Sequence, residues 1–341
     1  MRSLSSLVRP NILSLAPYSS ARSEYSGKGS VFLDANENPF GVYNRYPDPM
    51  QKALKEELSG IKNVSPENIF IGNGSDEVID LCYRIFCRPG IDNAISITPS
   101  YGMYDVSAAI NDTDLIKIPL DQNFQLDADM LLQYNNDDKA KLLVLCSPNN
   151  PTGNLLKNLD DVIKNFKGIV LVDEAYIDFS GTPSYIDKLS LYPNLIVAQT
   201  LSKAYGMAAA RIGIAYASIE IINLFNKVKP PYNVSALNQL AAITSLKEKE
   251  EYENQKQLLL TERKRVTEIL INAPSVKKVY PSDANFLLIK VDDANSLYKY
   301  LLDTGIITRN RNTQIPNCVR ITIGSPSEND ALLNAILQFS I

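Results

Sequence analysis

The chain has 341 residues, 45% of them apolar, enough to bury a large core; at roughly 150 residues per domain that length suggests about two domains. Its 34 basic and 38 acidic residues are interspersed and sum to -4, so neither sign gathers into the patch that nucleic acid or an anionic membrane requires. There is no histidine, which excludes a Ser-His-Asp triad, a Cys-His pair and any His-ligated zinc, and leaves proton transfer to Lys, Tyr, Asp, Glu or Cys.

The opening stretch to Arg22 is Ser-rich, with three arginines and no acid, a composition weakly like a transit peptide. Pro10 and Pro17 interrupt an amphipathic helix there, so an irregular arm is expected. Short apolar runs of buried-strand length follow at Ile69 to Ile71, Ala94 to Thr98, Leu142 to Cys146, Ile169 to Val172, Leu195 to Ala198 and Ile212 to Ala217. Helix-like stretches separate most of them. In one, behind a Ser75 cap, Val78, Ile79, Cys82, Ile85 and Phe86 recur at helical spacing. Strands alternating with helices imply an α/β fold with a mostly parallel central sheet between helices.

From about Ser235 the texture turns to a long charged connecting helix, and the tail supplies the strand-like pieces "ANFLLIKV", "GIITRNRN" and "CVRITIGS" around a helix. We therefore divide the chain into an arm at 1–40, a large domain at 41–240 and a smaller α/β domain at 241–341. No window approaches the ~18 apolar residues of a membrane span, and a cytoplasmic location is expected. Cys82, Cys87, Cys146 and Cys318 lack metal-site spacing and are expected to be reduced thiols. No metal is expected.

Ligands of open α/β sheets collect at the carboxyl ends of the strands. There this chain carries "GNGSDE", "PSYGMY", "SPNNPTG", "DEAY" and "TLSKAYG": a phosphate turn, an aromatic, an amide, a carboxylate and a lysine. Gly72 and Gly74 sit at a strand-to-helix turn where bare backbone, with Ser75 and Asp76, can approach a phosphate; two glycines making a tight turn is the plainer reading. "VDEAY" read as a Walker B strand would make an ATPase, but no G-x-x-x-x-G-K-[ST] cradle exists. A nicotinamide dehydrogenase would need glycine where Glu77 stands. A catalytically dead binding protein would lack a reactive position, and none is lacking. Lys203 decides among these: it lies between "LIVAQTLS" and "AYGMAAAR", an apolar setting that depresses a lysine pKa and frees the lone pair for Schiff-base chemistry.

"SPNNPTG", "DEAY" and "TLSKAYGMAAARIG" together resemble the ordered signature of fold-type I pyridoxal-phosphate-dependent aminotransferases. "APYSSAR", "LDANENPFG", "NRYPDP", "PSYGMY" and "VRITIG" are similar to segments of the histidinol-phosphate aminotransferase family, and the likeness runs from Pro17 to Ser325. The resemblance implies that Lys203 carries pyridoxal 5'-phosphate covalently and that Asp173 faces the ring nitrogen. It implies that Asn150 and Tyr176 hydrogen-bond the ring's phenolic oxygen and that Tyr101 stacks on the ring. Ser75, Asp76, Ser202 and Arg211 would bind the phosphate, with Tyr46 reaching the neighbouring subunit's site in a homodimer. Tyr18, Asn36, Tyr101, Arg309 and Arg320 would meet the substrates, histidinol phosphate and glutamate or 2-oxoglutarate; Arg311, two places from Arg309, is the alternative in that loop. An aromatic amino acid aminotransferase or a threonine-phosphate decarboxylase would share the cofactor residues. Two features depart from the family pattern: Ala209 and Ala210 precede Arg211 where a glycine and an apolar residue are usual, and Asn310 stands where an acid is commoner.

Overall fold

The computed structural model describes residues 2–18 and 31–339. Seven strands, β1 Ile69–Asn73, β2 Asn93–Thr98, β3 Asp114–Pro119, β4 Ala140–Cys146, β5 Ile169–Asp173, β6 Leu195–Thr200 and β7 Ile212–Ala217, form one sheet in the order β1-β7-β6-β5-β4-β2-β3. Strands β2 to β6 pair in parallel, and their unbroken apolar runs are buried because helices cover both faces. All six runs read from the sequence are strands. The seventh, β3, escaped notice because it is an edge strand whose half-exposed residues dilute the apolar signal and which ends at Pro119.

The expected parallel sheet has one exception. Strand β7 runs antiparallel to both β6 and β1. The link over residues 201–211 is shorter than the dozen or so residues that a parallel crossover takes, so the chain turns straight back. That turn carries Lys203.

Helix Ser75–Phe86 follows β1 as expected, but Gly74 is its N-cap and Ser75 is its first helical residue, with no side-chain cap bond. The opening stretch is not wholly irregular: it holds short helices at Leu4–Leu7 and Pro10–Ser14. Pro10 starts a helix instead of breaking one, because at the first helical position its missing N–H would have had no partner. Leu7, Val8 and Ile12 then bury against helix Ser75–Phe86. The charged connecting region is two helices, Ala236–Lys247 and Lys249–Leu270, meeting at Glu248.

The second sheet is antiparallel, with β8 Val276–Val279, β9 Phe286–Val291, β10 Arg309–Asn310 and β11 Cys318–Thr322 in the order β10-β11-β9-β8. Its core is separate from the two that flank the large sheet and takes in Val266, Leu270, Leu297 and Leu333 from the surrounding helices. All four cysteines are buried and unpaired by disulfide. Among the described residues no helix is long and apolar enough to cross a membrane.

Candidate active site

A cavity of about 400 Å³ opens at the carboxyl ends of β4, β5 and β6, where the β1 turn, the 201–211 turn and the small sheet converge. Its floor is set by close backbone packing. Gly74 has φ +78°, and a Cβ there would run into the Arg211 guanidinium; a Cβ on Gly213 of β7 would collide with the backbone of Gly74 and Ser75. The Gly74 N–H donates to the Arg211 carbonyl at 2.8 Å, which ties the phosphate-like turn to the start of β7. Gly213, absent from the residues singled out above, is the glycine of "ARIG" and makes this approach feasible.

Ser75, Asp76, Ser202 and Arg211 all line the cavity, beside Thr200 and Ala208. Arg211 has φ +53°, so the strained left-handed position falls on the arginine itself and not on Ala209 or Ala210. Its Nη2 lies 3.3 Å from Asp76 Oδ2, and the Tyr101 hydroxyl donates to Asp76 Oδ1 at 3.3 Å. Glu77 turns the other way: its carboxylate accepts from the Asn73 N–H and, at 2.9 Å, from Asn233 Nδ2. The Walker-type alternative loses its second carboxylate as well, since Glu174 is buried behind the sheet and accepts from Ser184, Tyr185 N–H and Gln199.

Asp173, the last residue of β5, is 2% exposed. Burial pushes its carboxyl above the usual carboxylate range, opposed by the Tyr104 hydroxyl at 2.8 Å and the Ala175 N–H at 3.1 Å. Lys203 is half-buried, its Nζ 5.6 Å from the Tyr176 ring centroid. Burial first and the Arg320 charge second lower it from the usual 10.5, the direction the apolar setting predicts. Asn150 is buried between two partners: Oδ1 accepts from Arg320 Nη1 at 2.5 Å, and Nδ2 donates to the Tyr176 hydroxyl at 3.3 Å. Burial raises the Tyr176 phenol, so it keeps its proton to donate into the cavity.

Three guanidiniums, of Arg309, Arg311 and Arg320, line the same cavity. Arg309 and Arg320 stand directly opposite each other in the β10–β11 pair, which explains their convergence across a loop. Arg311, left open in the sequence, belongs to the set: burial and its two neighbours lower it to about 10, and its Nε–H and that of Arg320 are buried without a partner. Among the described residues no carboxylate pairs with any of the three; their contacts are Asn150, Gln314 and the Phe286 ring. Asn310 holds the loop without an acid, donating to Asn295 Oδ1 at 2.8 Å and accepting from the Asn312 N–H at 2.8 Å.

Tyr101, Asn150, Asp173, Tyr176 and Lys203 thus meet in one place, from segments spread over the large sheet. Tyr18, Asn36 and Tyr46 do not reach it within one chain. Tyr18 is exposed, Asn36 lies in an exposed stretch with φ +54°, and Tyr46 stacks on Tyr232 with ring centroids 4.4 Å apart. Among the described residues no group of three or more His, Cys, Asp or Glu side chains could hold a metal ion.

A half-buried amine held below its ordinary pKa, a buried carboxylate, a bare glycine turn and guanidiniums without carboxylate partners suit covalent amine chemistry on an anionic substrate. The family model "Aminotransferase class I and II" matches residues 25–336. The chain is 52% identical to the histidinol-phosphate aminotransferase of Parabacteroides distasonis over the whole length of both, and 52% identical to that of Bacteroides fragilis over 99% of this chain and 100% of the relative. Among solved structures, the histidinol-phosphate aminotransferase of Clostridium acetobutylicum superposes with TM-score 0.79 at 25% identity, covering 89% of this chain and 97% of that one. That of Sinorhizobium meliloti, solved with pyridoxal-5'-phosphate, has the same fold, with TM-score 0.79 over 96% of each chain. With the motif lysine, carboxylate and arginine gathered in one cavity and half the residues identical from end to end, the chain belongs to the class I and II aminotransferases, in their histidinol-phosphate aminotransferase family.

Proposed function

We propose that this chain transfers the amino group of L-histidinol phosphate to 2-oxoglutarate, giving imidazole acetol phosphate and L-glutamate in histidine biosynthesis, by a ping-pong reaction with pyridoxal 5'-phosphate in the cytoplasm. The observation that carries this reading is the Lys203 amine in one cavity with buried Asp173 on one side and unpaired guanidiniums on the other. Full-length relatives at about half identity bear that enzyme name, which favours this substrate over the aromatic amino acid and threonine-phosphate alternatives. A nicotinamide dehydrogenase is disfavoured by Glu77, whose carboxylate occupies the third glycine position of a dinucleotide turn.

The residues present fit that cofactor. Gly74 and Gly213 leave the backbone bare beside Arg211, Ser75 and Ser202 for a phosphate, and Asp173 is a buried acceptor for a protonated ring nitrogen. When bound, pyridoxal phosphate supplies a carbonyl that takes up the amino group and a ring that draws electrons from the substrate carbon. Lys203 Nζ, once free, would take the proton from the amine-bearing carbon of the substrate and deliver it to the cofactor carbon bonded to the same nitrogen, serving as base and then acid. Asp173 would hold the proton at the ring nitrogen, Tyr176 and Asn150 would donate to the phenolic oxygen, and Tyr101 would cover the ring face. Arg320, Arg309 and Arg311 bind the substrate's phosphate in one half-reaction and a carboxylate of the keto acid in the other. The domain division falls best at Glu248 instead of 240, because helix Ala236–Lys247 runs unbroken through that point and packs Ala242 and Leu246 into the large core.

A homodimer accounts for what one chain leaves open. Leu33 is 91%, Val42 87% and Phe40 82% exposed, and Tyr43, Leu237 and Leu240 are exposed too, apolar side chains that a second copy would cover. A groove of about 610 Å³ beside Leu237 and Leu240 has no cationic side chain in its wall, which suits a protein partner better than the anionic substrates. In such a dimer Tyr18, Asn36 and Tyr46 would complete the neighbour's site.

The test is the visible spectrum of the protein with pyridoxal phosphate. Its yellow colour should fade on adding histidinol phosphate alone and return with 2-oxoglutarate. A yellow protein indifferent to histidinol phosphate would pass the substrate to the alternatives; one that never turns yellow would overturn the cofactor reading.

A further inference from the structure

Helix Met103–Ile110 contributes nothing to the cavity wall, yet it sets one side chain directly behind two that do. Tyr104 is 1% exposed. Its hydroxyl donates to Asp173 Oδ2 at 2.8 Å, and its ring meets the Tyr101 ring edge-on, centroids 5.6 Å apart at 90°. Its own carbonyl accepts from the Tyr83 hydroxyl at 3.1 Å, which pins the start of the helix. The Ala175 N–H donates to the other Asp173 oxygen, so each carboxylate oxygen is held from behind and keeps a lone pair for the cavity.

We propose that Tyr104 is a positioning residue for the ring site, its hydroxyl setting the orientation and charge of Asp173 and its ring backing Tyr101. This rests on the pyridoxal phosphate reading, in which Asp173 faces the ring nitrogen. The other groups around Asp173 divide. Lys203, beyond β6, favours the ionised carboxylate, Asp76 of helix Ser75–Phe86 opposes it, and Cys146 of β4, Tyr101 and Tyr176 are neutral at pH 7 because burial raises all three. Loss of the Tyr104 hydroxyl therefore removes the largest favourable influence on the carboxylate, and Asp173 takes up a proton at higher pH. A neutral acid cannot hold a protonated ring nitrogen.

The experiment is pyridoxal phosphate binding to cofactor-free protein, followed by absorbance between pH 5 and 8, for the parent and Tyr104→Phe. It is repeated with the 1-deaza analogue, whose ring carries CH in place of nitrogen. Tyr104→Phe should bind the natural cofactor roughly tenfold more weakly at the acid end of that range, the gap narrowing as pH rises, and should match the parent with the analogue. Tyr104→Leu, which also removes the ring behind Tyr101, should lose affinity for both. The double variant Tyr104→Phe, Asp173→Asn has no buried charge left unpaired; it should fold and bind as Asp173→Asn alone. Parent-like binding by Tyr104→Phe, an equal loss with the analogue, or a further loss in the double variant would overturn the proposal. A parent protein that binds neither compound would overturn the cofactor reading instead.

Discussion

Arg320 of β11 and Asn150, which follows β4, share a 2.5 Å hydrogen bond that closes the small sheet onto the large one across the cavity. The same amide donates to Tyr176, so the anion-binding end and the ring-binding end of the site are joined through one side chain. Arg320→Lys keeps the charge but loses the forked geometry and the bond to Asn150. We expect kcat/KM for histidinol phosphate to fall roughly 10- to 100-fold. An unchanged value would remove Arg320 from substrate binding.

Lys203→Ala should fold and retain pyridoxal phosphate through Arg211 and Asp173, because the substitution removes a half-buried amine and leaves both partners in place. Transamination should drop by at least roughly a thousandfold, the loss of nucleophile and proton carrier together. Turnover near the parent's level in a steady-state assay would sink the assignment.

Gly74→Ala meets two obstacles, a left-handed backbone and the Arg211 guanidinium in the space its Cβ needs. Cofactor affinity, measured by equilibrium dialysis, should weaken at least tenfold. Gly60→Ala is the contrast: it lies on the exposed side of helix Lys52–Lys62 with open space around the new Cβ, and should raise stability by roughly 0.5–1 kcal/mol in urea unfolding.

The amine of Lys203 in cofactor-free protein should react with acylating reagents with a midpoint below the ordinary lysine value of 10.5, since burial and then Arg320 disfavour its charged form. Arg320→Gln removes one of those cations and should move the midpoint up. Peptide mass spectrometry across a pH series reads both; a midpoint that does not move would separate Arg320 from the lysine electrostatically.

Glu174 offers a stability test away from the chemistry. Burial raises its carboxyl to about 7, so the fold binds a proton that the unfolded chain, near 4.5, releases. Its contribution is fully present below about pH 4.5 and is lost as pH rises through about 7, at most roughly 3 kcal/mol. Glu174→Gln cannot titrate, and its urea midpoint should fall less than the parent's between pH 5 and pH 8. Parallel curves would show that Glu174 stays ionised in the fold.

Much of the site was legible because covalent amine chemistry uses few residue types, and here they stand at the ends of apolar runs. Lys203, Asp173, Asn150, Tyr101 and Arg211 each follow or border such a run, and all line one cavity. Tyr104 was passed over because nothing local separates a tyrosine that fills a core from one that holds a carboxylate. Gly213 was missed because its need arises from a turn far away in sequence.

The sequence by itself determined the six buried strands of the large sheet, the alternation that makes a layered α/β fold, and the chemical inventory, since hydrophobic period and residue type are local properties. Only the tertiary structure decided that β7 runs backward, that Arg311 joins Arg309 and Arg320, and which neighbours set the charge of Asp173 and Lys203. Those outcomes depend on distances between residues remote in the chain. Register, burial and electrostatic coupling are properties of the packed molecule, and they exist only once the two sheets have closed on the cavity between them.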